Sequence, residues 1–132
     1  MVASFDVSGR SILLGDDEWV ILLGLARAVE VMKMRRVGLA RTGEEAVALA
    51  LRERPEFILL DIHLAGMDGI EATRQILAAF PTCVVLMSGD TDRETRKRAY
   101  EAGVSLFLPK PFGWEELPAH LGQAFAAFST RQ

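Results

Sequence analysis

The sequence is poor in the residues that build sulfur and imidazole sites. Cys83 is its one cysteine, which excludes an internal disulfide and any multi-cysteine metal centre. Its place inside an apolar run reads as a small core hydrophobe, the usage expected in a reducing compartment. The two histidines, His63 and His120, are far apart and form no close metal-binding pair. An excess of basic charge is also missing. With 15 Lys and Arg against 18 Asp and Glu, the net charge is −3, and the footprint of a nucleic-acid-binding surface is absent. No charged segment followed by an apolar stretch opens the chain, and the apolar run over residues 19–26 is too short to span a bilayer. These absences predict a soluble, cytoplasmic protein with no membrane insertion and no direct contact with nucleic acid. What is present is a chain of 132 residues, half of them hydrophobic, enough for one globular domain with a substantial core.

Apolar, strand-forming runs alternate with longer amphipathic stretches. Ile12-Leu13-Leu14, Phe57-Ile58-Leu59-Leu60, Cys83-Val84-Val85-Leu86-Met87 and Leu106-Phe107-Leu108 read as strands, and residues 35–40 as a weaker one. Helices are predicted over residues 18–33, 43–54 and 69–80, over a segment opened by Thr91 and closed by Gly103, and over a last stretch in which Leu117, Leu121, Ala124, Phe125 and Phe128 recur. Thr42 with Glu45, and Thr91 with Glu94, have the spacing at which hydroxyl and carboxylate satisfy the free amides of a first turn. Asp68 is a good cap for the third helix, and Pro55 and Pro81 stop the second and third. Five strands alternating with five helices predict an α/β fold, a doubly wound five-stranded parallel sheet covered on both faces. Right-handed crossovers leave few windings, and order 2-1-3-4-5 places the first and third strands at the switch point.

Four of the runs end in polar residues: Asp16-Asp17, Asp61, Ser88 and Lys110. Parallel strands bring these to one edge, where open α/β sheets bind ligands. Carboxylates gathered there repel one another and need protons or a cation. Oxygen donors without cysteine or paired histidine favour a hard ion such as Mg²⁺, which completes its shell with phosphate oxygen. Lys110 adds a positive charge for the remaining phosphate oxygens and Ser88 a hydroxyl donor. A carboxylate held in line with a phosphodonor can act as nucleophile and form an aspartyl phosphate, a transfer that needs mainly positioning and charge neutralisation. Asp61, at the end of the central strand, is the candidate acceptor. Singly, each residue has a plainer reading: Asp16 or Asp17 as a helix cap, Asp61 as a turn residue, Ser88 as a cap, Lys110 as a solvated lysine. Their joint placement at four strand ends favours the site.

In this order and spacing, Asp16-Asp17-Glu18, Asp61, Met67-Asp68-Gly69, Ser88-Gly89 and Phe107-Leu108-Pro109-Lys110-Pro111-Phe112 resemble the receiver domain of bacterial two-component response regulators, a flavodoxin-like (βα)5 sandwich. The resemblance spans residues 11–128, with residues 1–10 as an N-terminal extension and 129–132 as a C-terminal tail. It implies a phospho-accepting signalling domain rather than an enzyme, with Asp61 receiving a phosphoryl group from a sensor histidine kinase or a histidine phosphotransfer protein. It implies that Asp17 and Asp61 ligate Mg²⁺ through their side chains and His63 through its backbone carbonyl, with Asp16 acting mostly through water. Ser88 and Lys110 are implied to contact the phosphoryl oxygens, Phe107 to turn inward as the switch, and the Lys110-Pro111 bond to be cis. Three departures from the family pattern stand out. Ala65 replaces the usual proline and predicts a less rigid loop after Asp61; Gly89 replaces the usual alanine after the hydroxyl residue; His63 and Asp90 occupy positions that influence phosphoryl lifetime.

The first helix carries more apolar residues than one buried stripe requires, including Trp19, Val20, Leu23 and Val31. The excess is expected either to dock the phosphodonor's helices, as the resemblance implies, or to form a homodimer seam. The fourth helix offers little apolar burial and a basic run of Arg93, Arg96, Lys97 and Arg98, a solvated face by default and an acidic partner's site by the sharper reading. Output is expected on the face of helix 4, strand 5 and helix 5, toward a downstream protein or a covalently linked output domain. Two rivals remain from other classes. One is a Mg²⁺-dependent phosphohydrolase with an aspartate nucleophile, which needs an acid where His63 stands; the other is a receiver-shaped interaction module that is never phosphorylated.

Overall fold

The computed structural model describes residues 5–131; residues 1–4 of the expected extension and residue 132 of the expected tail lie outside the described residues. The strands are β1 (Ser11–Gly15), β2 (Arg35–Ala40), β3 (Phe57–Asp61), β4 (Cys83–Ser88) and β5 (Leu106–Pro109). The helices are α1 (Trp19–Val31), α2 (Gly43–Glu53), α3 (Gly69–Ala79), α4 (Arg93–Ala102) and α5 (Leu117–Ser129), the last preceded by a 3₁₀ turn, Trp114–Glu116. All neighbouring strands pair in parallel, in the order β2-β1-β3-β4-β5, as the alternation of apolar runs predicts. No helix among the described residues is long and apolar enough to cross a membrane.

Because side chains alternate across a strand, each buried strand feeds two cores. Ile12, Leu14, Leu59, Val85 and Met87 face α1 and α5 and pack with Leu22, Leu25, Val29, Leu117 and Leu121. Leu13, Ile58, Leu60, Val84, Leu86 and Phe107 face the other layer with Ile70, Ile76 and Ala99. Being buried on both faces explains the unbroken apolar runs of β1, β3 and β4. The edge strand β2 instead begins with the exposed Arg35 and Arg36, charges that discourage further strand pairing. Val7 is buried in the first core, and Phe5 stacks on Phe125 with ring centroids 4.7 Å apart.

Local signals set most boundaries. Thr42 and Glu45 form the expected capping box, Asp68 accepts the N–H of Glu71 at 2.8 Å, and Gly103 closes α4 at φ 107°. One start moves. Asp92 rather than Thr91 caps α4, accepting the N–H of Thr95 at 2.7 Å; a carboxylate bonds this amide and also favours the positive end of the helix. The loop after Asp61, expected to be loose for want of proline, is tied down by other means. Ala65 bridges to Thr42, its carbonyl accepts the N–H of Gly43 at 3.2 Å, and Glu44 accepts the N–H of Met67 at 3.1 Å.

Cys83 is fully buried, and burial pushes its thiol up to about 11. Only thiolate is nucleophilic. Iodoacetamide at mildly alkaline pH should therefore leave the native chain unlabelled and modify Cys83 once denaturant is added; labelling of the native chain would show that this strand opens readily.

Candidate functional site

The strand ends bring Asp16, Asp61 and Lys110 into direct contact. Lys110 Nζ donates to Asp16 Oδ2 at 3.0 Å and to Asp61 Oδ2 in a shorter bond. The backbone holds each member in place. Asp16 N–H donates to the Ala40 carbonyl, and Asp16 Oδ1 accepts from the N–H of Glu18 at 2.9 Å. Asp61 Oδ1 accepts from the N–H of His63 at 2.6 Å. Lys110 N–H donates to the Ser88 carbonyl at 2.9 Å, extending the β4 and β5 pairing to the lysine, and the following Lys110-Pro111 bond is cis. Ser88 lies buried on the same edge, its Oγ accepting from the N–H of Asp90 at 2.9 Å.

Charge explains why these groups stay together. Asp16 is 0% and Asp61 5% exposed, a costly placement for carboxylates without a counterion. Burial pushes the Asp61 carboxyl above its ordinary value, while the hydrogen bonds from Lys110 and from the His63 N–H oppose the rise. Burial acts to lower Lys110, but its bonds to Asp61 and Asp16 outweigh that and hold the ammonium above its ordinary value. Asp17, by contrast, is exposed; its carbonyl accepts from Arg41 Nη2 at 3.1 Å. His63 is exposed, as a loop residue should be. Among the described residues no three acidic, histidine or cysteine side chains are already grouped as a ligand set. The donors on this edge are nevertheless all oxygen, and the two buried carboxylates of Asp16 and Asp61 share one ammonium, a set whose excess negative charge suits a hard divalent cation.

Gly69 shows how tightly the Asp61 end of β3 is packed. A Cβ there would sit 2.5 Å from the Asp61 carbonyl oxygen and 2.9 Å from Ile62 Cα, both backbone atoms. Gly69→Ala should therefore cost about 1–3 kcal/mol, read as a lower denaturation midpoint. An unchanged midpoint would show that α3 can move away from β3 at no cost.

Phe107 is 5% exposed and packed in the second core. Sequence reasoning missed what surrounds it. The Phe107 N–H donates to Tyr100 Oη at 3.1 Å, and the Arg96 guanidinium lies over the Phe107 ring at 5.4 Å. It also missed Arg41, whose guanidinium holds the Asp17 carbonyl and lies over Trp19 at 5.4 Å. These contacts join residues with no shared motif; the aromatic and basic residues of α4 were the one available signal for the first pair.

Comparison with known proteins agrees with this geometry. Residues 12–122 match the response regulator receiver domain family. The chain is 38% identical over 112 residues to a protein-glutamate methylesterase/protein-glutamine glutaminase of Hahella chejuensis, covering 83% of this chain and 31% of that protein. It is 30% identical over 119 residues to the transcriptional regulatory protein PdtaR of Mycobacterium tuberculosis, covering 90% of this chain and 58% of that one. The chain thus spans less than two thirds of the length of these relatives. Among solved structures, the response regulator domain of Thermotoga maritima CheB superposes with a TM-score of 0.79 at 27% identity, covering 92% of this chain and 97% of that one. The match over most of the sequence, together with the sheet order and the acidic edge with its lysine, shows that this chain belongs to the receiver domain family of two-component response regulators, a signalling module.

Proposed function

We propose that Asp61 accepts a phosphoryl group from a sensor histidine kinase or a histidine phosphotransfer protein, and that the modification is read on the face of α4, β5 and α5. The observation that carries this reading is the Lys110 bridge between the Asp61 and Asp16 carboxylates. It sets a cation at the reacting oxygen, beside a carboxylate whose raised pKa marks it as basic and desolvated. A carboxylate oxygen of Asp61 attacks phosphorus, the bond from phosphorus to the donor breaks, and the donor's leaving group takes the electron pair. The Asp61 Oδ1 bond to the His63 N–H fixes the carboxylate's orientation. Lys110, already at the acceptor, turns to the transferred oxygens, and Ser88 donates its hydroxyl proton to them. Asp16, Asp17, Asp61 and the His63 carbonyl are the groups that would hold Mg²⁺, which when bound neutralises charge on carboxylate and phosphoryl oxygens.

The phosphodonor would approach over α1. Val20 is 81% exposed, and Trp19, Leu23 and Val31 are exposed with it. Beside them a cleft of about 320 Å³ is lined by Ile21, Phe112, Trp114 and Lys110 among others, and Lys110 is the residue bonded to Asp61. Intact mass after incubation with Mg²⁺ and acetyl phosphate tests the function: a gain of one phosphoryl group supports it. No gain, or steady release of phosphate from simple phosphoesters, would replace it with one of the other two readings.

A further inference from the structure

We propose that Arg41 is a positioning residue for the metal site, holding Asp17 in register with the loop that carries His63. The inference rests on the reading of Asp17 and the His63 carbonyl as groups that would hold Mg²⁺. Asp16 is fixed by its own bonds to Ala40, Glu18 and Lys110. Asp17 has less support from its own segment. Its side chain is exposed, and Glu18, the residue that opens α1, makes no side-chain bond to the first turn. What holds the Asp17 peptide comes from the end of β2: Arg41 Nη2 donates to the Asp17 carbonyl at 3.1 Å.

Arg41 is itself anchored on three sides. Its N–H donates to Glu45 Oε1 at 3.0 Å, the carboxylate of the α2 capping box. Its carbonyl accepts from the N–H of Ala65 at 3.4 Å, two residues beyond His63. Its guanidinium lies over the Trp19 ring at 5.4 Å, and among the described residues Arg41 forms no ion pair that would draw it away. A planar guanidinium can donate and stack at once, which suits it to this place. The loop after β1 and the loop after β3 are thus tied to one residue, the first through its side chain and the second through its main chain. Mg²⁺ demands near-octahedral geometry and tolerates little error in the separation of its ligands. Groups that orient those ligands therefore contribute to affinity without touching the ion. Charge works the other way, because a cation beside the site repels Mg²⁺. Loss of the side chain weakens binding if Arg41 positions Asp17, and strengthens it if Arg41 acts by charge alone.

The test is the Mg²⁺ affinity of the full chain, read from the rise in melting temperature over a series of Mg²⁺ concentrations, for the natural chain, Arg41→Ala, Arg41→Lys and Asp17→Ala. Changing the side chain leaves the Arg41 N–H and carbonyl in place, so α2 and the loop after β3 keep their bonds and the metal-free melting temperature should change little. Arg41→Ala should weaken Mg²⁺ binding about tenfold, the lower figure for a ligand-orienting group, as suits an exposed one. Arg41→Lys restores a donor together with the charge, and it should bind Mg²⁺ more tightly than Arg41→Ala. Action by charge alone reverses that order, since the lysine would then repel the ion and the alanine would not. Binding by Arg41→Ala that equals or exceeds that of the natural chain would overturn the inference, and so would weaker binding by Arg41→Lys than by Arg41→Ala. A lowered metal-free melting temperature with unchanged Mg²⁺ affinity would also overturn it, leaving Arg41 a structural residue only. Failure of the underlying reading looks different. Asp17→Ala would then bind Mg²⁺ as the natural chain does, and the inference would fall with its ligand; loss of affinity in Asp17→Ala but not in Arg41→Ala sinks the inference alone.

Discussion

Asp61→Asn is expected to abolish phosphoryl transfer from acetyl phosphate in the presence of Mg²⁺, with no adduct in the intact mass under conditions that modify the natural chain fully. An amide lacks the charged oxygen that attacks phosphorus, so the effect is a loss rather than a slowing. The variant should remain folded. Its side-chain oxygen can still accept from the His63 N–H, which Asp61 Oδ1 bonds at 2.6 Å. Because burial raises the Asp61 pKa, the charged carboxylate opposes folding at neutral pH. The folded state binds more protons than the unfolded one between the ordinary and the raised pKa, so this cost appears as pH rises through that window and is relieved in acid. The raised pKa already sets the Lys110 bond against burial, so removing the charge should cost little or no melting temperature, and failure to phosphorylate cannot be put down to unfolding. Asp16 is a poor substitute acceptor, since it is fully buried with both oxygens engaged, by the Glu18 N–H and by Lys110. An adduct that persists in Asp61→Asn would move the acceptor elsewhere and leave the proposed chemistry without its nucleophile.

What the sequence made legible depended on how locally each feature is encoded. The sheet could be read because β1, β3 and β4 are buried on both faces and so appear as unbroken apolar runs, and because Pro55, Pro81 and Gly103 punctuate what lies between. The meeting of Asp16, Asp61, Ser88 and Lys110 on one edge could be read because a parallel sheet turns strand ends into one edge. Contacts between distant segments were hidden. Ala65 looked like a lost constraint, yet the loop is held by pairing with Thr42 and by Glu44, and nothing in the loop's own residues announces those partners. The start of α4 was misplaced by one residue because two adjacent side chains, Thr91 and Asp92, can both cap, and the choice depends on the chain's exit from β4. The bridging role of Lys110 was also out of reach: sequence marks it as a phosphate ligand, while the structure shows it as the counterion of two buried carboxylates.

That role predicts a large effect on stability. Lys110→Met keeps the length of the side chain and removes its charge, leaving Asp16 and Asp61 buried against each other. Breaking a buried ion pair by deleting one partner costs about 3–5 kcal/mol, and the native lysine, with its side chain 24% exposed, places the expected loss toward the lower figure. The pH dependence separates this cause from simple loss of packing. In the natural chain Lys110, held above its ordinary 10.5, contributes stability that is complete below that value and fades as pH rises through the higher one. In the variant that contribution is gone, and the two carboxylates favour a shared proton, so the folded state takes up protons more readily than the unfolded chain. Stability of Lys110→Met should therefore rise as pH falls from neutral toward the ordinary carboxylate range, narrowing its gap to the natural chain, whereas a packing defect would keep the gap constant. Mg²⁺ supplies a second discriminator. With no ammonium competing for the carboxylates, the ion should raise the melting temperature of the variant by more than that of the natural chain. Equal shifts would mean that Lys110 and the metal do not draw on the same oxygens, and the acidic edge would then need a different account of what holds its charges together.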